Sequence, residues 1–403
     1  MSKKQVLYFM PDNPTGKDAG NKMRTIQLLN YFTSRADSIE LDFAIEQFWS
    51  QWAEKDLGLF TEKFPDISLH VLSRKVSKKN KSGYLFRYKL PQFLLSGKRL
   101  FRKPALPDLN THLLQKAFNK LVQQKHYDYI IISYVTWASL VRNNPFVKGS
   151  KLINDTHDFI TGQIKDKKSV RLGKAFEQEM KRLSLFDEIW SVSTDEQYLF
   201  SQFCKADQRL VPIMFDRNYE RKPKDTGYSY DLICIGSKNE HNIKSFNWFF
   251  EKVYPLLPEE IRICVIGQVC QFVPDNKNVY KIPFAEHLDA YYFQSKVAIC
   301  PMLSGTGVKV KTVEALSYGL PVVCTQRGLD GLPWKEHNGC LRGDDPSSFA
   351  KHILSLLNDD GLYQETKTQG IQLFNRYFEK TQCYQHLDQA FSIPHYPRPT
   401  SHL

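Results

Sequence analysis

The residues from Pro301 to Cys324, PMLSGTGVKVKTVEALSYGLPVVC, carry the densest chemistry in the chain. Gly305 and Gly307 permit a turn whose backbone amides can converge on an anion, and a helix opening directly after it adds its own amides. Lys309 and Lys311 bring positive charge. Glu314 lies three residues past Lys311, on the same side of the predicted helix, where a carboxylate can accept hydrogen bonds from the vicinal hydroxyls of a sugar. A second set of polar groups occurs in INDTHDF, which puts Asp155, His157 and Asp158 just past an apolar run, where a parallel sheet exposes its working edge.

These residues need strands and helices to hold them. VAIC precedes the glycine turn as a short buried strand, Gly319 and Pro321 end the helix, and VVC begins the next strand. Earlier in the chain QVLYFM, SIELDFAIE, SLHVL, YDYIIISY, KLINDTH and FDEIWSVS read as strands separated by helices. After the polar linker RNYERKPKDTGYSY the pattern resumes with DLICIG, IRICVIG and NVYKIP. Alternation of this kind predicts an α/β protein with mostly parallel sheets. We expect residues 1–213 and 214–380 to form two Rossmann-like domains, with 381–403 as a crossover helix and tail that packs toward the first.

A chain of 403 residues can bury two cores. No apolar run reaches the ~20 residues of a membrane span, and the N-terminus lacks a secretory cleavage pattern, which predicts a cytoplasmic protein. The eight cysteines all lie from Cys204 onward, often within strand-like runs and without a close CxxC pair, so buried thiols are expected in place of disulfides or zinc ligands. The formal charge of +12 favours anionic partners. It concentrates in residues 74–103, where eleven Lys or Arg occur with no acid and with Tyr84, Leu85, Phe86, Phe93, Leu94 and Leu95 between them. This stretch reads as an interfacial element or lid at the inner face of an anionic membrane, or else as a solvated basic face. No nucleic-acid-binding module is recognisable.

The block SGTGVKVKTVEALSYGLPVV resembles the donor-binding signature of family 4 retaining glycosyltransferases with the GT-B fold. That resemblance implies two facing Rossmann-like domains with an active-site cleft between them, a nucleotide-diphosphate-sugar donor and transfer with retention. It assigns Gly305, Thr306, Gly307 and Val308 to donor binding, Lys309 or Lys311 to the leaving diphosphate, and Glu314 to the ribose. Many members carry a further glutamate where this chain has Thr306. Gly236, with Lys244 on the following helix, matches a donor-side loop, although Ser237 stands where a basic residue is common. Gly20 and Arg24 in AGNKMR occupy the place of a first glycine loop on the acceptor or phosphate side, together with Asp155. His157 resembles a histidine that positions the transferred sugar. The family holds its diphosphate mainly with protein groups, so no essential metal or separate cofactor is expected.

The implied function is a hexosyltransferase-like enzyme moving sugar to a glycan or lipid-linked glycan in bacterial surface-polysaccharide synthesis. An epimerase or hydrolase of the same fold, and a noncatalytic nucleotide-sugar binding protein, are the alternatives.

Overall fold

The computed structural model describes residues 2–14, 20–49, 52–76, 81–96, 105–223, 227–305 and 307–394. Thr306, the tail from residue 395 and parts of the 74–103 stretch lie outside the described residues. The chain divides into two units. The first comprises Met1–Val192, Glu196–Val211 and Phe391–Ile393, and the second Ser193–Asp195 and Pro212–Ala390 with the tail.

The first unit holds β1 (Lys4–Phe9), β2 (Ile39–Glu46), β3 (Ser68–Leu72), β4 (Tyr129–Ser133), β5 (Lys151–Asp155), β6 (Glu188–Ser191) and β7 (Asp207–Leu210). They form one sheet in the order β3-β2-β1-β4-β5-β6-β7, parallel throughout. Because both faces are covered, both must be apolar. Leu7, Phe9, Ile130 and Ile132 join Phe118 and Trp137 in one buried cluster. Tyr8, on the alternate face of β1, packs against Phe43 with ring centroids 5.5 Å apart. Phe391 completes this second core, its ring 5.0 Å from Tyr129, 5.5 Å from Phe32 and 5.9 Å from Trp190.

The second unit repeats the plan with β8 (Tyr230–Ile235), β9 (Ile263–Ile266), β10 (Val279–Ile282), β11 (Ser295–Cys300), β12 (Val322–Cys324) and β13 (Cys340–Arg342), ordered β10-β9-β8-β11-β12-β13 and again parallel. All eight cysteines are unpaired, and seven are buried.

In each sheet the strand order reverses once, between β1 and β4 and between β8 and β11. The crevice beyond the carboxyl ends of the strands at such a reversal is where doubly wound sheets take ligands. Two strands escaped the sequence reading. The edge strands β7 and β13, DQRL and CLR, have too few apolar residues to show a strand pattern.

Candidate functional site

In the second unit, Gly236 follows β8 and the 304–307 turn follows β11, so the motif residues flank the reversal point. Gly305 and Gly307 adopt φ of +98° and +73°, a region that favours glycine, and this gives the turn its shape. Gly236 is required for packing. A Cβ there would stand 3.0 Å from Val269 Cγ1 and 3.1 Å from the Phe246 ring.

Two cations serve this turn. Lys309 is buried, and its ammonium donates to the Gly307 carbonyl at 2.7 Å. Lys311 donates to Asn242 Oδ1 at 2.9 Å and to Met302 Sδ at 3.6 Å, and lies over the Phe246 ring at 5.8 Å. Among the described residues Lys311 has no carboxylate partner. Burial pushes both ammonium groups below their ordinary pKa. An ammonium enclosed with only neutral partners favours an incoming anion.

Asn242 sits where its amide can serve both sides. Its Nδ2 donates to the Ser237 carbonyl at 2.9 Å, which turns Oδ1 toward Lys311. Ser245 Oγ accepts from the Leu303 amide at 3.1 Å, and His241 Nδ1 lies 2.8 Å from Ser304 Oγ. The helix Glu240–Trp248 is thereby stitched to the glycine turn through the face that carries Asn242 and Ser245. Lys244, expected at the donor, is exposed and two positions from Asn242, which sets it on the other side of this helix. Thr306 lies outside the described residues, and Val308 packs toward Gly331, where a Cβ would approach its Cγ2 to 2.6 Å.

Glu314 is half-buried on the helix Val310–Ser317 and accepts a hydrogen bond from Tyr292 Oη at 3.1 Å. Burial pushes its carboxyl up to about 7, against the opposing effect of the tyrosine hydroxyl. Tyr292 is held in turn by stacking on Tyr318, with centroids 4.3 Å apart and planes 12° from parallel.

In the first unit, a polar network gathers at the carboxyl ends of β4 and β5. Asp155 accepts from Arg24 Nε at 3.0 Å and Nη2 at 2.6 Å, and from Tyr8 Oη at 3.0 Å. Burial alone would raise its carboxyl. The charge of Arg24 and the hydrogen bonds from His157 and Arg24 outweigh burial and hold it well below the usual range. Arg24 Nη1 donates to the Val211 carbonyl. All three guanidinium nitrogens are engaged in the interior, and through two of them Arg24 holds Asp155. Gly20 is exposed as the first residue of the helix Gly20–Ser34, and the residues just before it lie outside the described residues.

His157 Nε2 lies 2.8 Å from Asp155 Oδ2 and 3.2 Å from Ser133 Oγ. The carboxylate assigns the proton to Nε2, which leaves Nδ1 of a neutral ring as an acceptor. Nδ1 is buried without a partner among the described residues. His157 and Tyr134 both have left-handed backbones, with φ of +58° and +60°, and their rings stack at 4.5 Å. Two non-glycine residues in that region cost of order 1–3 kcal/mol each, a strain characteristic of functional sites. Asn21 Nδ2 secures Tyr134 Oη at 3.0 Å and reaches Asp12 at 2.8 Å. Nearby, burial pushes Asp158 up to about 6, and burial plus the Asp158 charge pushes Glu196 up to about 7. Tyr134 and Glu196 were missed because neither belongs to a recognisable spacing.

Residues 229–359 match the family model described as glycosyl transferases group 1. Residues 229–359, which lie within the second unit, are thus similar to group 1 glycosyltransferases. The chain is accordingly an enzyme of the transferase class. It is similar, at 24% identity over 264 residues, to an uncharacterized 44.6 kDa protein in the cps region of Klebsiella pneumoniae, an alignment covering 57% of this chain and 66% of that protein. Among solved structures, Anabaena Alr3699/HepE in complex with UDP and glucose superposes with a TM-score of 0.63 at 14% identity, covering 96% of this chain and 99% of that one. Sucrose-phosphate synthase from Thermosynechococcus elongatus gives 0.64 at 14% identity, covering 97% and 98%. These whole-length likenesses establish the GT-B fold for the transferase. Among the described residues of the transferase, no group of three His, Cys, Asp or Glu is placed to hold a metal ion, and no helix is long and apolar enough to cross a membrane.

Proposed function

We propose that the chain is a retaining glycosyltransferase of family 4 that moves a sugar from a nucleotide-diphosphate-sugar to a hydroxyl of a glycan or lipid-linked glycan. The observation that carries this reading is the placement of Lys311 and Glu314 on one short helix beside a glycine turn at the strand-order reversal. A cation lacking a counter-ion suits a diphosphate, and the carboxylate behind it suits a ribose diol. The relative in complex with UDP and glucose supports this donor class, and the cps-region relative supports surface-polysaccharide synthesis.

In this reading the acceptor oxygen forms its bond to the anomeric carbon as the bond from that carbon to the diphosphate breaks. The diphosphate leaves with the electron pair, stabilised by Lys309, Lys311 and the amides of the turn, and one of its oxygens takes the acceptor proton. His157 Nδ1 accepts a hydrogen bond from a hydroxyl of the transferred sugar. Protein groups carry the diphosphate charge, and no separate cofactor is named. A lipid-linked acceptor would bring this cytoplasmic enzyme to the inner face of a membrane, where the basic stretch 74–103 would meet anionic head groups.

Saturation-transfer NMR with UDP-, GDP-, ADP- and dTDP-sugars tests the donor assignment. Selective binding of one donor, lost in Lys311→Met, is expected. Absence of binding to every donor by folded protein overturns it.

A further inference from the structure

Tyr292 lies on the short helix Asp289–Phe293, which leads into β11, and its ring is buried against Tyr318 just past the helix Val310–Ser317. The near-parallel stack restrains the Tyr292 ring. Tyr318 is fixed in its turn, its hydroxyl donating to Asp289 Oδ1 and its ring meeting Phe293 edge-on at 5.3 Å. Arg221 donates to the other oxygen of Asp289. A chain of held groups thus ends on one atom, Glu314 Oε2, which the Tyr292 hydroxyl reaches at 3.1 Å. Glu314 Oε1 has no partner among the described residues.

We infer that Tyr292 is a positioning residue of the donor site, holding Oε2 of Glu314 and leaving Oε1 to accept from a ligand hydroxyl. This rests on the proposed reading of Glu314 as the group that takes the ribose. A phenylalanine would fill the same space and stack as well, so only the hydroxyl acts on Glu314. Burial and the Glu314 charge push that hydroxyl well above its ordinary pKa, and it stays a donor throughout the range in which the carboxyl titrates. A donor of this kind bonds the carboxylate better than the carboxylic acid, which opposes the upward push of burial and of the Asp289 charge on Glu314. Tyr292 therefore sets how much of the ionised form is present as well as where its oxygens lie. The other charged or titratable groups around Glu314 are Asp289 with its partner Arg221, Tyr318, Lys311 on the same helix, and Lys367 on the helix Asp360–Tyr377, which reaches Gly319. Tyr292→Phe alters none of them.

The test is calorimetric titration of the full chain with UDP, GDP and ADP from pH 6 to pH 9, on the wild type, Tyr292→Phe, Glu314→Gln and the double variant, with a thermal melt of each. Titration of the phosphates and of Lys309 and Lys311 is common to all four proteins and drops out of the comparison. Tyr292→Phe should move the midpoint of the pH dependence upward by about one unit, which lowers affinity about fivefold at pH 7 and restores most of it at pH 9. In the Glu314→Gln background the same substitution should leave the profile unchanged. In a folded Tyr292→Phe protein, an unmoved midpoint, a loss of the same size at every pH, or an equal effect in the Glu314→Gln background overturns the inference and leaves the donor role of Glu314 standing. If Glu314→Gln binds as the wild type does, or if no nucleotide binds the folded protein, the reading of Glu314 fails and the inference fails with it.

Discussion

Lys311 Nζ lies 2.9 Å from Asn242 Oδ1, and that one hydrogen bond joins the helix after β8 to the helix after β11. The amide holds the ammonium in place without neutralising it.

Replacing Lys311 with Met keeps the volume and removes a buried unpaired charge. The variant should therefore fold with stability unchanged or raised. Donor affinity should fall by about tenfold to a hundredfold, the worth of a hydrogen bond from a charged group. Calorimetric titration with the preferred nucleotide sugar, beside a thermal melt, checks both halves.

Glu314 should make donor binding depend on pH. Its folded pKa is raised from 4.5 to about 7, so the folded protein retains the proton across that window and this group's stabilising contribution declines as pH rises through it. Diol binding needs the ionised carboxylate, and affinity for an intact nucleotide sugar should weaken as pH drops below about 7. The dependence should flatten in Glu314→Gln. A titration series from pH 5.5 to pH 8 on both proteins decides.

His157→Asn preserves a residue tolerant of the left-handed backbone while removing the ring that offers Nδ1. Turnover should drop on the order of tenfold or more. Nucleotide diphosphate affinity should hold, since Lys311 and Glu314 belong to the other unit. Steady-state kinetics with a parallel binding assay separate the two effects.

Arg24→Met leaves Asp155 buried without its guanidinium. Loss of one partner from such a pair costs about 3–5 kcal/mol, and denaturant unfolding of the first unit should shift accordingly. If Arg24 served phosphate directly, the variant would lose donor affinity with little change in stability.

Much of the site was legible because glycines and charges in a fixed spacing announce an anion turn. What order along the chain could not convey was direction. Lys244 and Asn242 are two positions apart, and only the helix built on them shows that Asn242 faces the turn while Lys244 faces water. Arg24 read as a free cation because its partner Asp155 is 131 residues away in sequence. The parallel sheets were readable from their apolar runs, and the edge strands β7 and β13 were not, since an edge needs fewer apolar residues to be stable.

The place of Phe391 has a consequence for biosynthesis. Most of the first unit leaves the ribosome before the second, yet one wall of its core is supplied by a ring about 180 residues beyond Val211. Its folding can begin during translation and can be completed only after residues 212–390 have also been made. A protein cut after residue 211 would expose Tyr129, Phe32 and Trp190 where Phe391 belongs, and would be more prone to aggregate than the sheet alone suggests.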